Sequence, residues 1–417
     1  MGQRDWKKLI APHFRSLRMN TVHEPAELQS LILNSAAPLL FRKIVTSNIL
    51  KWTLEDWARV LGNEILEFRI GKYEYSHEPQ WERKTATVTS SFKHFLECAE
   101  LEPELQENRW LYFDYKYLKY WFTSIDELRN NISWVPLGFP DITADECTIW
   151  IGTKGAHTPC HIDTYGFNLI FQVYGKKLWI IAPPEENLKP TRVPYEESSV
   201  YSKLNFFSPN VEDFKGISNV RKIILNPGEV LYLPHKWWHY VENLETAISL
   251  NVWIPLPEDD EERLAESVVQ LFVKQLTSLS QEVSDHILNP NMRQLILDSE
   301  VSNMLETVNN CKTICKDKLH NKKTKADHEE CTEETDKFNE GEVLKKYPFV
   351  EKIPRMSPEA FNLFLKAQRE RFKNEAADSG APGDSCSYQN GVLQLFNVLT
   401  DDDVISLISE KLLRMSS

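Results

Sequence analysis

The chain has 417 residues, of which 41% are hydrophobic and 26% charged, and its formal net charge is −13 at pH 7. This length predicts one large domain with an appendage, or two domains. The acidic balance argues against nucleic-acid binding as the main function. Seven scattered cysteines, together with the lack of a signal-peptide pattern and of a bilayer-length apolar run, predict a soluble cytoplasmic protein, with the nucleus as an alternative.

The first 145 residues predict a mixture of helices and strands. Residues 1–20 are basic and irregular, and we expect them to form an N-terminal tail. The predicted helices cover residues 25–34, a segment that begins at Thr53, and residues 90–98. The predicted strands cover residues 38–45, 65–70 and 110–113. Thr53 followed by acidic residues is a capped helix start, whereas residues 65–70 alternate with the period of a strand.

From Thr148 onward the chain predicts short strands joined by Gly and Pro turns. These strands cover residues 148–152, 168–174, 177–181, 223–225, 230–233 and 246–254. Gly175 lies in a predicted hairpin turn, and Pro183 and Pro184 end strand pairing. Residues 185–220 are polar and are predicted to form a long loop without regular structure. The pattern is typical of a jelly roll or cupin-type barrel.

After Pro257 the pattern becomes helical. Residues 259–279 predict an amphipathic helix. Residues 316–345 are charged and nearly free of large apolar side chains, which predicts a disordered linker. Ser357 followed by Pro358 is a strong helix start in the last part of the chain.

His161 and Asp163 are the first candidate metal ligands. Residues i and i+2 of a strand point to the same face, so the imidazole and the carboxylate would leave one strand side by side. His239, which follows two tryptophans, would complete a set of two histidines and one carboxylate, which suits a non-haem Fe(II) centre with open positions. His235 is the rival third ligand. The alternative to metal binding is a structural His-x-Asp pair whose groups satisfy each other.

The motifs around these residues resemble those of the JmjC family of Fe(II)- and 2-oxoglutarate-dependent oxygenases. The resemblance is carried, in chain order, by residues 158–163, the hairpin at Gly175-Lys176-Lys177, the turn at residues 226–229, and residues 234–239. Within the family, the chain is most similar to the small JmjC-only protein hydroxylases and to the member that associates with a small heat-shock protein.

The resemblance implies an α+β fold that is mainly β, with a double-stranded β-helix of the cupin-like JmjC type and a C-terminal helical extension. The JmjC domain would cover residues 21–258, with an elaboration over 21–145 and the barrel core over 146–258. A helical extension over 259–315, the linker over 316–345 and C-terminal helices over 346–417 would follow.

The resemblance also implies Fe(II) and 2-oxoglutarate as cofactors. A lysine two residues after a glycine binds the distal carboxylate of 2-oxoglutarate in the family, and Lys177 has this position. Thr158 and Tyr112 match positions that hydrogen-bond the same carboxylate. The alternatives are that Lys177 is a solvated hairpin charge and that Tyr112 is a core aromatic.

Asn168 and Asn251 match family asparagines close to the metal and to 2-oxoglutarate. Five positions separate Asp163 from Asn168, where close relatives have four. A bulge at Gly166 would absorb the extra residue; otherwise Asn168 would point away and Tyr165 would line the pocket. Lys236 is an unusual residue so close to a metal pocket. Because of these departures, the alternative that the protein is non-catalytic stays open.

The implied activity is hydroxylation of a protein side chain. The alternative is a non-catalytic adaptor of the same fold that associates with and inhibits a small heat-shock protein. Histone lysine demethylation and RNA hydroxylation receive less weight, because the sequence contains no accessory zinc or reader module and is acidic. Close relatives often dimerise through helices after the barrel, so a homodimer through residues 259–279 is a further hypothesis.

A second metal site would have to use cysteines and histidines near the linker. The candidate ligands are Cys311, Cys315, His320, His328 and Cys331. Their spacing fits no familiar zinc module, so two ordinary cysteines on a helix and scattered polar residues are the favoured interpretation.

Overall fold

The computed structural model describes residues 24–100, 108–326, 338–372 and 387–415, and the predicted tail over residues 1–20 lies outside them. The α-helices are α1 (Pro25–Asn34), α2 (Leu54–Leu61), α3 (Phe92–Glu100), α4 (Leu118–Trp121), α5 (Asp126–Arg129), α6 (Asp259–Thr277), α7 (Gln281–Ile287), α8 (Pro290–Asp298), α9 (Val301–Ala326), α10 (Glu340–Lys346), α11 (Pro358–Glu370), α12 (Ser387–Leu399) and α13 (Asp402–Arg414). The strands are β1 (Leu39–Arg42), β2 (Ile65–Lys72), β3 (Ala86–Ser91), β4 (Arg109–Tyr117), β5 (Thr148–Gly152), β6 (His157–Asp163), β7 (Phe167–Tyr174), β8 (Lys177–Ala182), β9 (Pro190–Glu196), β10 (Ser199–Ser202), β11 (Arg221–Leu225), β12 (Glu229–Leu233), β13 (Trp238–Asn243), β14 (Ala247–Ile254) and β15 (Val350–Lys352).

Two antiparallel sheets form the barrel, so the predicted α+β fold is confirmed. Among the described residues, one sheet has nine strands in the order β15-β1-β12-β7-β14-β5-β4-β2-β3, and the other has six in the order β11-β8-β13-β6-β10-β9. Side chains alternate between the interior and the outer faces, as strand geometry requires. In β8, Trp179 and Ile181 belong to the apolar cluster between the sheets, whereas Leu178 and Ile180 pack on the outer side.

The outer face of the nine-stranded sheet is covered by the N-terminal helices. Helix α2 begins at the predicted cap, where Thr53 and Asp56 form a reciprocal capping box. Its Trp57 is fully buried. Phe95 of α3 stacks on Phe68 of β2 with ring centroids 4.7 Å apart. The described elements between residues 24 and 145 therefore share one apolar cluster with the nine-stranded sheet.

The predicted loop over residues 185–220 contains two strands, which corrects that expectation. Strand β10 pairs with β6 and places Tyr201 opposite His161, and β9 pairs with β10. The segment also buries Phe206 and Phe207 against the outer face of the six-stranded sheet. The sequence pattern did not indicate these two strands, because β10 pairs with β6, which lies some forty residues earlier in the chain.

The predicted disordered linker over residues 316–345 is partly helical in the structure. Helix α9 continues to Ala326, and α10 occupies Glu340–Lys346; residues 327–337 lie outside the described residues. The start of the linker is held because α9 packs along α6, with Cys315 buried and Lys318 paired with Asp260. Lysine and glutamate are good helix formers, so a polar composition alone did not exclude a docked helix.

The segment after the linker belongs to the barrel rather than to a separate helical unit. Strand β15 pairs with β1 at the edge of the nine-stranded sheet. Helix α11 buries Phe361, Phe364 and Leu365 against the outer face of the six-stranded sheet. Helix α11 has the predicted Ser357 cap, with the hydroxyl accepting from the Ala360 N–H.

The remaining C-terminal helices form their own cluster. Helix α6 packs against α9, α12 and α13, with Val269 and Phe396 fully buried. The predicted helix over residues 259–279 ends at Thr277, and Leu279 is exposed. No helix in the described part of the chain is both long enough and apolar enough to cross a membrane.

Candidate metal centre and co-substrate pocket

His161, Asp163 and His239 converge between the two sheets. His161 and Asp163 leave β6 on the same face, and His239 of β13 lies directly opposite His161. His161 Nε2 lies 3.5 Å from Asp163 Oδ1, and His239 Nε2 lies 3.8 Å from Asp163 Oδ2. Metal–ligand bonds of about 2.1 Å place neighbouring ligand atoms about 3 Å apart, so small side-chain rotations would let all three bind one ion.

Both imidazoles present a lone pair to the centre. His161 Nδ1 donates to the Pro159 carbonyl at 2.9 Å, and His239 Nδ1 donates to the Trp237 carbonyl at 3.0 Å. Because a carbonyl only accepts, these bonds fix the Nδ1–H tautomer and leave Nε2 for a metal. Burial, together with His161, lowers the pKa of His239 to about 4, which keeps that ring neutral, as a metal ligand must be.

The Asp163 carboxylate is ionised and held from two sides. Burial alone would raise its pKa, but His239, His161 and the Trp253 N–H lower the pKa well below its usual range. Trp253 Nε1 donates to Oδ2 at 2.8 Å, and Asn168 Nδ2 donates to the same oxygen at 3.4 Å. The donor set is therefore two imidazole nitrogens and one carboxylate, which fits a divalent transition-metal ion.

Lys177 lies in the same cavity and is buried. Its side chain is 1% exposed, and Nζ donates to Ser249 Oγ at 2.7 Å and to the Tyr112 hydroxyl at 3.4 Å. Among the described residues, the hydrogen bonds of Nζ go to these two hydroxyls and to no carboxylate. Burial lowers the pKa of Lys177 to about 7. The structure therefore excludes the solvated hairpin charge as the role of Lys177.

Tyr112 and Thr158 complete the polar wall beside Lys177. The Tyr112 hydroxyl is hydrogen-bonded to Thr158, and burial raises the pKa of Tyr112 above its usual range. Both side chains line a cavity of about 280 Å³ that also contains the three candidate ligands and Lys177. A buried cation with neutral hydroxyls beside it is the arrangement that binds a carboxylate.

Comparison with known proteins agrees with this geometry. A family model described as a cupin-like domain matches residues 25–257. The chain belongs to the cupin-like JmjC family. HSPB1-associated protein 1 of Homo sapiens is 34% identical over 307 residues, which cover 69% of this chain and 60% of that protein. The chain therefore matches less than two thirds of the length of this relative.

Two further relatives belong to the same group. Lysine-specific demethylase 8 of Xenopus tropicalis is 29% identical over 213 residues, which cover 49% of this chain and 44% of that protein. Jumonji C domain-containing protein 5 of Drosophila melanogaster is 32% identical over 149 residues, which cover 32% of this chain and 34% of that protein.

The other histidines and the unusual lysine lie outside this JmjC centre. His235 donates to the Gly166 carbonyl at 2.9 Å and does not join the cluster around Asp163. His157 is the first residue of β6 and stacks on Phe207 outside the cavity. Lys236 points away from the metal ligands and pairs with Glu262 of α6.

The extra residue before Asn168 is absorbed at Gly166. This glycine has a φ of 64°, a left-handed conformation that glycine adopts without steric cost. Asn168 therefore points into the JmjC cavity and accepts from Asn251 Nδ2 at 2.8 Å. Tyr165 lines the cavity as well. The sequence presented Asn168 and Tyr165 as alternatives, but both line the cavity.

The mouth of the cavity contains residues that the sequence did not single out. They are Glu82, Asp114, Tyr115, Glu196, Tyr201 and Asn291. Tyr115 has a φ of 56° where the pairing of β4 with β5 shifts register, so a bulge turns its ring toward Trp253 at 5.5 Å. The run of acidic and aromatic residues at positions 114–117 is the sequence feature that could have indicated Asp114 and Tyr115. Asn291 comes from α8, which no pattern near the metal motif indicated.

The second candidate metal site is not formed in the part that the structure describes. The only cluster of His, Cys, Asp or Glu found there with ligand spacing is the one at Asp163. Cys311 and Cys315 lie on α9 and face α6; His328 and Cys331 lie outside the described residues.

Proposed function

We propose that this chain is an Fe(II)- and 2-oxoglutarate-dependent dioxygenase that hydroxylates a protein side chain. The observation that carries the proposal is Lys177, a buried ammonium without a carboxylate partner in the described chain. A buried charge costs several kcal/mol unless it is paired. An anionic co-substrate that occupies the cavity would supply the missing charge.

The residues present fit both groups. His161, Asp163 and His239 would hold Fe(II). Lys177, with the Tyr112 and Thr158 hydroxyls, would bind the distal carboxylate of 2-oxoglutarate, and its keto acid end would reach the metal. When bound, the two supply the chemistry of O₂ activation, in which one oxygen atom enters a substrate C–H bond and the other enters succinate, with release of CO₂.

The polar side chains lie where a purely structural barrel would use apolar ones. Elsewhere in the same interior, the apolar side chains of Ile181, Leu231 and Leu233 fill the space between the sheets. Replacing buried charged groups by apolar groups of similar volume is often neutral or stabilising. The presence of three candidate metal ligands and a buried lysine therefore supports catalysis over a scaffold.

The direct test is turnover by the purified full chain with Fe(II). We expect 2-oxoglutarate to be converted to succinate, and we expect basic, amide-containing and histidine-containing peptides to identify the substrate by a mass increase of one oxygen. His161→Ala should abolish succinate formation. His94→Ala is the matched control, because His94 is an exposed histidine on α3. Absence of succinate from the wild type under all peptide conditions would contradict the proposal.

A second candidate function is an adaptor that binds and inhibits a small heat-shock protein. It is favoured by the name of a relative, HSPB1-associated protein 1. Co-sedimentation with purified HSPB1 would test it. An adaptor predicts that wild type and His161→Ala bind equally and reduce chaperone activity equally, whereas binding that requires an intact metal centre and 2-oxoglutarate would mark the heat-shock protein as a substrate.

We place the protein in the cytoplasm, with the nucleus as the alternative. The buried Cys147 and Cys160 are free thiols, as expected in a reducing compartment. Imaging of the tagged full-length protein tests this placement.

A further inference from the structure

We infer that a set of hydrogen-bonding side chains positions the Asp163 carboxylate to bind a metal through one oxygen. The set consists of Trp253 and of a hydrogen-bonded chain that runs from Trp150 through Asn251 to Asn168. These tryptophans and asparagines are positioning residues, since they act through Asp163. The inference rests on the proposed function and adds to it the side chains that set the affinity of the metal site.

The direction of these hydrogen bonds is fixed at Trp150, the end of the hydrogen-bonded chain that lies farthest from Asp163. Trp150 Nε1 donates to Asn251 Oδ1 at 2.7 Å, and the Thr148 hydroxyl bonds the same oxygen. An indole N–H can only donate, so the oxygen of Asn251 must face Trp150.

The orientations of the Asn251 and Asn168 amides follow from this donor. Asn251 Nδ2 donates to Asn168 Oδ1 at 2.8 Å, which leaves Asn168 Nδ2 to face Asp163 Oδ2 at 3.4 Å. Reversing either amide would place two donors or two acceptors together. The order of donors and acceptors therefore transmits the orientation of one indole on β5 to the carboxylate on β6.

Trp253 adds the stronger contact on the same oxygen. Its Nε1 donates to Asp163 Oδ2 at 2.8 Å, whereas Oδ1 lies toward His161 Nε2 at 3.5 Å. Two donors on Oδ2 restrain rotation of the carboxylate and leave Oδ1 as the oxygen that faces the His161 imidazole. Outer hydrogen bonds of this kind typically change metal affinity by 10–100-fold.

The elements involved explain why the arrangement is rigid. Asn251 and Trp253 lie on β14, which pairs with β5 on one side and with β7 on the other. Trp150 and Asn168 come from those two neighbours. The chain therefore crosses three adjacent strands of the nine-stranded sheet and ends on a ligand of the facing sheet.

The test uses Co(II) as the probe and compares Trp253→Phe and Asn251→Asp with the wild type. Phenylalanine keeps a ring beside Tyr115 but removes the N–H. Aspartate has nearly the shape of asparagine but cannot donate to Asn168, so it allows that amide to turn. Dissociation constants and Co(II) absorption spectra are measured, and thermal unfolding of the metal-free proteins shows whether each variant is folded.

We expect Trp253→Phe to weaken Co(II) binding at least 10-fold and to alter the visible spectrum, with a smaller loss for Asn251→Asp. Trp57→Phe is the control, because Trp57 is fully buried and its Nε1 has no hydrogen-bond partner; it should bind Co(II) within two-fold of the wild type.

Co(II) binding by both folded variants within two-fold of the wild type, with unchanged spectra, would overturn the inference while leaving the proposed function intact. If Trp253→Phe does not fold, Asn251→Asp decides. A wild type that binds no Co(II) would overturn the proposed function, and the inference with it.

Discussion

The two faces of the six-stranded sheet both bury a charged side chain, but only the outer face neutralises it. On the outer face, Glu242 of β13 is 2% exposed and pairs with Arg371. On the inner face, Lys177 of β8 lies in register with Asn243, one residue farther along β13. The described residues provide Lys177 with hydroxyl partners but with no carboxylate.

The pKa shifts have opposite directions for this reason. Burial alone would lower the pKa of Arg371, but Glu242 raises it above its usual range. Burial lowers the pKa of Lys177 to about 7, and the charge of Asp114 offsets only part of this effect. A paired charge on the outer face stabilises the fold, whereas the unneutralised charge on the inner face indicates an anionic ligand.

The largest effect on stability should come from removing the segment that covers the outer face of the six-stranded sheet. A chain that ends after residue 345 loses β15, α11 and Arg371, and it exposes the sheet surface that buries Phe361 and Phe364. Each buried side chain of this size contributes about 1.5–3 kcal/mol, against a total stability of about 5–15 kcal/mol. We expect the truncated chain to lose cooperative thermal unfolding in circular dichroism. A cooperative transition like that of the full chain would show that the segment is a separate unit.

Arg371→Ala breaks the outer pair with a single change. It leaves Glu242 buried without its cation, and we expect a loss of about 3–5 kcal/mol in the free energy of unfolding, measured by urea denaturation. Lys366→Ala is the control, because Lys366 is exposed on α11, the helix that ends immediately before Arg371; it should change stability by less than about 0.5 kcal/mol. Equal effects of the two substitutions would contradict a stabilising outer pair.

Lys177→Met makes the corresponding change on the inner face. Methionine is similar in length and carries no charge, so the ligand-free protein should be unchanged or stabilised by about 1 kcal/mol. The measurement is again urea denaturation without metal or 2-oxoglutarate. A loss as large as that of Arg371→Ala would mean that the protein itself neutralises Lys177.

The last effect is a pH dependence of the stability of the ligand-free protein. The pKa of Lys177 is about 7 in the folded state, against a usual value of 10.5. Between these values the unfolded chain binds more protons at this residue, so the free energy of unfolding rises with pH by at most about 1.4 kcal/mol per unit. The difference in stability between wild type and Lys177→Met should therefore shift in favour of the wild type from pH 7 to pH 9. Parallel pH profiles would contradict the lowered pKa.

The sequence predicted local features better than contacts across the chain. Thr53 followed by acidic residues indicated a helix start from neighbouring residues alone, and α2 begins there. His161 and Asp163 could be placed on one face of a strand by period alone. The position of Asn168 depended on the φ of Gly166, which spacing does not determine. The pair of Arg371 with Glu242 joins residues 129 positions apart, and no local pattern indicated it.

The most direct test of the central claim compares two keto acids that differ only at the distal end. Binding of 2-oxoglutarate and of 2-oxopentanoate, which has a methyl group in place of the distal carboxylate, is measured by calorimetry on the Co(II)-loaded wild type and Lys177→Met. We expect the wild type to bind 2-oxoglutarate about 100-fold more tightly, since a charged hydrogen-bonded pair contributes about 1.5–3 kcal/mol, and we expect Lys177→Met to bind both alike. Equal binding by the wild type, or a preference for 2-oxoglutarate that survives in Lys177→Met, would contradict the claim that a ligand carboxylate neutralises Lys177.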